Sequence, residues 1–127
     1  GGMACESLQF EGESYRGYYT AYTFAFTDTD GTPTDVTGWD FSLTFYPAAN
    51  GGPAGGAAVK AFTVANSLVT VGTTDGLISV AFPAADSLAL ADGTYWAEAK
   101  ATDALSLPRL VAWGPWLHHD TGLGGVS

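Results

Sequence analysis

Residues 16–27, RGYYTAYTFAFT, place Tyr18, Thr20, Tyr22, Phe24 and Phe26 at every second position, with Tyr19, Ala21, Thr23, Ala25 and Thr27 between them. Side chains of an extended chain point alternately to opposite faces, so this spacing specifies a β-strand with one apolar face. On a helix the same rings would be scattered around the axis. Trp39, Phe41, Leu43 and Phe45 repeat the pattern, with Asp40, Ser42 and Thr44 opposite. Further strand-like runs lie at 58–64, 67–71, 77–82, 94–102 and 109–117, and a weaker one at 7–13. The breaks between runs hold Asp30-Gly31, Asn50-Gly51, Asp75-Gly76 and Asp92-Gly93, dipeptides that favour positive φ at or beside a turn. Seven or eight short runs separated in this way predict an all-β sandwich or barrel. FPAADSLALADG, 82–93, is the one candidate helical turn, a short crossover between two strands. The glycine-rich 50–58 reads as a mobile loop and 118–127 as a tail that orders against a neighbour.

At 127 residues, the chain is of a size for one domain with a core of its own. A lone Cys5 excludes an internal disulfide, so packing alone must supply stability. The net charge is −9, and Arg16, Lys60, Lys100 and Arg109 are the only Lys or Arg side chains. Phosphate backbones and anionic membrane surfaces demand clustered positive charge, so neither nucleic acid nor membrane is expected as a partner. No run approaches the roughly 18 apolar residues of a membrane helix, and no basic-then-apolar segment opens the chain. The expectation is a protein folded in a reducing cytoplasm.

The loop Asp28-Thr29-Asp30-Gly31-Thr32-Pro33-Thr34-Asp35 gathers three carboxylates. Asp28, Asp30 and Asp35 are therefore weak candidates for metal ligands. The glycine falls at the fourth place rather than the sixth, and no glutamate closes the loop at the twelfth, so the helix-loop-helix calcium pattern fails. A turn reading accounts for each residue: aspartates that accept from nearby backbone, Gly31 in a left-handed position, and Pro33 keeping the re-entering chain extended.

The stretch YTFAFTDTDGTPTDVTGWDF resembles the opening of the immunoglobulin-like domains of bacteriophage tail and baseplate proteins, among them the N-terminal domain of phage baseplate upper proteins. In that group a strand leads into an Asp-x-x-Gly-x-Pro hairpin, followed by Asp-Leu-Thr-Gly-aromatic. Asp28, Gly31, Pro33, Asp35, Val36, Thr37, Gly38 and Trp39 match it. Residues 75–103 are similar to the group's apolar strand, short Ala/Asp/Leu crossover and Gly-x-Tyr strand, and 109–116 to its closing strand with Gly114. The likeness spans about 14–117, flanked by an N-terminal arm at 1–13 and the tail at 118–127; the glycine-rich 50–58 stands outside the pattern. It implies an immunoglobulin-like antiparallel β-sandwich and a virion structural role: docking to other virion proteins, a homo-oligomeric ring or trimer by analogy, no cofactor, and a final location in the virion after synthesis in the host cytoplasm.

Catalytic constellations are not expected. His118 and His119 are adjacent, so on a strand they would point to opposite faces, and a solvated tail is the expectation for both. With the only histidines there, a serine nucleophile lacks a held base. Glu11 and Glu13 share one face of the weak first strand and read as a solvated edge.

The aromatics carry the binding candidates. Tyr18, Tyr22, Phe24, Phe26, Trp39, Phe41 and Phe45 have core parity, and Tyr95 heads a face with Ala97, Ala99 and Ala101. Trp96 instead shares its face with Glu98, Lys100 and Thr102; Tyr19 sits among Ala and Thr; Tyr46 follows Ser42 and Thr44. Trp113 and Trp116 have opposite parities, so at least one looks outward. Tyr19, Tyr46, Trp96, Trp113 and Trp116 are thus the candidate interface or ligand residues. Two uses remain: docking to neighbouring virion subunits, capsid decoration included as a variant, or stacking on a host-surface glycan.

Overall fold

The computed structural model describes residues 6–9, 12–47 and 57–120. Along them run β1 (Glu6–Gln9), β2 (Gly12–Tyr15), β3 (Thr20–Ala25), β4 (Asp40–Pro47), β5 (Lys60–Thr63), β6 (Val69–Val71), β7 (Leu77–Phe82), α1 (Ala84–Ala89), β8 (Gly93–Thr102) and β9 (Pro108–His119). Cys5, Asn50-Gly51, most of the glycine-rich stretch and the end of the tail lie outside the described residues.

The strands form a sandwich of two sheets. The larger has the order β1-β9-β8-β4-β5 with β2 also on β9, and the smaller has the order β3-β7-β6. If β3 to β9 are named B, C, C′, D, E, F and G, the sheets are G-F-C-C′ and B-E-D, the order of immunoglobulin-type sandwiches. A second mark of that architecture is the tyrosine corner at the start of strand F. Tyr95 donates its hydroxyl to Ala91 O, four residues upstream, at 2.6 Å. Burial, helped by nearby Asp92, raises the Tyr95 pKa, which keeps that donor protonated.

The all-β expectation holds, with one departure from a purely antiparallel sandwich. β1 and β2 both run parallel to β9, from Glu6↔Leu110 to Gln9↔Trp113 and then from Gly12↔Trp116 to Tyr15↔His119. The weak run at 7–13 therefore becomes two short strands that cover successive lengths of one edge. Without them the long β9 would leave a row of backbone groups unpaired.

Packing follows the alternation. Phe41, Leu43 and Phe45 of β4 and Ile78, Val80 and Phe82 of β7 are all 0–1% exposed. Beside β4 lie Ala97, Ala99 and Ala101 of β8, whose small side chains leave room for rings from the facing sheet. Phe24 meets Phe41 at 4.8 Å, Phe26 meets Trp39 at 5.2 Å, and Tyr22 meets Trp116 at 4.9 Å. Tyr18 is a correction: it is 44% exposed rather than core, because a turn with Gly17 at φ 86° intervenes before β3 begins.

Gly76 shows why one turn glycine is required. Its φ is +72°, and a Cβ there would lie 2.5 Å from Phe26 O. The same site joins β3 to β7 and to the acidic loop, through Phe26 N–H to Gly76 O and Thr34 N–H to Phe26 O, both 2.9 Å. Gly76→Ala is expected to lower stability by about 2 kcal/mol or more, from left-handed strain plus the backbone clash. The urea midpoint reads it directly.

Candidate functional site

The outer face of the larger sheet gathers three of the predicted aromatics. Tyr46 on β4 faces Trp96 on β8 in register, and Trp96 faces Pro115 on β9. One row along, Thr44, Glu98 and Trp113 are aligned. Side chains opposite one another in such rows have Cβ atoms about 5 Å apart, and diagonal neighbours about 7–8 Å. Tyr46, Trp96 and Trp113 are thus a half-buried group on one face, with no two of their rings in contact. The indole N–H of Trp96 is sealed from solvent yet has no hydrogen-bond partner among the described residues. A buried donor in that condition costs about 1–3 kcal/mol. Beside the rings, Glu98 and Lys100 form an exposed ion pair at 3.4 Å, of a kind that contributes little to stability.

The group runs into a shallow depression of about 450 Å³ lined by Gly12, Glu13, Thr94, Pro115 and Leu117. Pro115 belongs to both features, and Thr94, Leu117 and Glu13 form the next row of the sheet. At its rim the Glu13 carboxylate lies 3.0 Å from His119 Nε2.

Two candidates lie elsewhere. Tyr19 is 64% exposed, ahead of β3 on the smaller sheet, and takes no part in the group. Trp116 is only 3% exposed: it shares the inward parity of Leu110 and Ala112 and is a core residue. Of the two C-terminal tryptophans, Trp113 is the one that looks outward.

The histidines are not in a solvated tail. β9 continues through His119, and His118 is 0% exposed. Its Nε2 lies 2.9 Å from Ser87 O, an acceptor only, so Nε2 carries the proton. Nδ1 then accepts from Ser14 Oγ at 2.7 Å, and Ser14 Oγ accepts in turn from the Trp116 indole at 2.9 Å. Ser87 Oγ extends the network, donating to Tyr15 O at 2.8 Å. Ser14 and His118 recombine two parts of a nucleophile-base pair, but Ser14 is 1% exposed, with no approach for a substrate. The pair fastens β2 and α1 to β9. The expected opposition of the two rings is seen: His119 stacks on Tyr15 at 4.7 Å on the other face. The signal was present in the sequence, because Leu110, Ala112, Gly114, Trp116 and His118 keep one parity.

In the acidic loop the carboxylates do not converge. Asp28 Oδ1 accepts from the Thr34 hydroxyl, Asp30 Oδ1 from the hydroxyl and N–H of Thr32, and Asp35 Oδ1 from the same two groups of Thr37. The hydroxyl bonds, seconded by the backbone ones, pull the pKa values of Asp30 and Asp35 below the ordinary carboxylate value. Gly31 takes the expected left-handed position at φ 89°. Among the described residues no group of three His, Cys, Asp or Glu side chains is placed to hold an ion. Each of the three carboxylates is engaged by a nearby threonine, as the turn reading expects.

No protein family matches this chain, and no curated protein does.

Proposed function

We propose that this protein is a non-enzymatic bacteriophage virion component, a tail, baseplate or adaptor module, which docks to neighbouring virion proteins through the outer face of its larger sheet. The observation that carries the docking surface is the placement of Tyr46, Trp96 and Trp113 on neighbouring positions of one sheet face. A partner laid over this face would cover the exposed parts of the three rings, which is how aromatic anchors behave at protein interfaces. The virion part of the reading is supported by the likeness of residues 28–39, 75–103 and 109–116 to phage immunoglobulin-like domains. With all four Lys and Arg side chains bonded to protein groups, the surface is strongly acidic, which favours solubility before assembly.

A glycan-binding reading is favoured by a different observation, the depression beside Trp96 with the Glu13 carboxylate at its rim. One experiment separates the two. Antibodies against the purified chain are applied to phage particles from the producing bacterium, alongside particles carrying Trp96→Ala/Trp113→Ala. Docking predicts labelling at one fixed position on the particle and a loss of at least tenfold in the double variant. Absence from particles, with binding of the free chain to cell-surface glycans, would overturn docking in favour of the alternative.

A further inference from the structure

We infer that the open edge of β3 is a pairing site for a second copy of this chain, joining two three-stranded sheets into one of six strands. This rests on the edge alone and holds whichever function the aromatic face serves. β3 is the terminal strand of the order β3-β7-β6, and β7 is its only strand partner among the described residues. Phe26 N–H bonds to Gly76 O on the β7 side. By the alternation of an antiparallel ladder, the even-numbered residues face β7, and Ala21, Thr23 and Ala25 turn their N–H and C=O groups to the edge. Edges of this kind are normally blunted by charge, proline, a bulge or brevity. The other edges follow that rule: β5 carries Lys60, β6 has three residues, and β1 and β2 have four each. β3 has none of these devices, and its six residues pair with β7 without a register shift.

Three observations select an antiparallel copy of the same strand. Pairing centred on Thr23 sets Ala21 against Ala25 outside and Tyr22 against Phe24 inside, small opposite small and ring opposite ring. The inner rings Tyr22, Phe24 and Phe26 are only half-buried, whereas Ile78, Val80 and Phe82 of β7 are fully buried, so a second copy covers apolar surface that one copy leaves at the rim. Exposed Tyr18 and Tyr19 flank the same edge and gain a surface to cover.

Sedimentation equilibrium of the full chain tests this, with Thr23→Lys and Thr23→Pro as variants. Thr23 meets its own copy at the centre of the pair and donates nothing to β7, so lysine adds repulsion and proline removes an edge donor while the fold is kept. The wild type is expected at twice the 13.1 kDa chain mass. Both variants are expected to raise the dimer dissociation constant at least tenfold, with unchanged circular dichroism. Should proline unfold the chain, Thr23→Lys alone carries the comparison. Amide exchange at Ala21, Thr23 and Ala25 should slow only in the dimer. A wild type that stays monomeric at millimolar concentration, or a dimer indifferent to Thr23→Lys, would overturn the inference.

Discussion

Phe45→Ala is expected to lower the unfolding free energy by about 3–5 kcal/mol, the usual cost of removing a fully buried ring. That is a large share of the roughly 5–15 kcal/mol that a domain has in total. Phe45 sits where the two sheets and the tyrosine corner meet. Its ring lies 4.8 Å from Trp116, 5.3 Å from Phe62 and 6.1 Å from both Phe82 and Tyr95. These neighbours come from β9, β5, β7 and β8, so no one element can shift to fill the void. Urea denaturation followed by tryptophan fluorescence measures the loss, and an unchanged m-value shows that the same fold is being unfolded.

His118→Leu is the second large effect, expected at about 3 kcal/mol. Leucine fills much of the space but leaves the Ser14 hydroxyl without its acceptor, and Ser87 O with only the Leu90 N–H at 3.3 Å; an unsatisfied buried group costs about 1–3 kcal/mol. The damage should also be local. Amides of β2 should exchange faster, because Ser14 and Ser87 fasten β2 and α1 to β9. Ser14→Ala should cost less alone and should couple strongly with His118→Leu in a double-mutant cycle. Independent, additive losses would contradict a single network.

Much of this architecture is written in local alternation. LISVAF at 77–82 matches β7 residue for residue, and the parity of Phe41, Leu43 and Phe45 named the centre of the core. Turn chemistry was equally legible, since Gly31, Gly76 and Gly93 all take positive φ. What local pattern omits is register and strand order. Tyr46, Trp96 and Trp113 are recognisable one by one as outward residues, but their placement on neighbouring positions depends on Tyr46 facing Trp96 across β4 and β8. The parallel seating of β1 and β2 on β9 likewise joins residues about a hundred positions apart, with no periodicity to announce it. His118 was misplaced for another reason. Two histidines and an aspartate look polar, and their composition hid a strand parity that Trp116 had already set.

The docking face is tested most directly by hydroxyl-radical footprinting of the chain in assembled particles against the free protein. Docking through the larger sheet predicts that Tyr46, Trp96 and Trp113 lose labelling on assembly, while Leu105, 80% exposed on the β8–β9 loop, keeps it. Equal labelling of the three rings in both states, with protection confined to another surface, would contradict it.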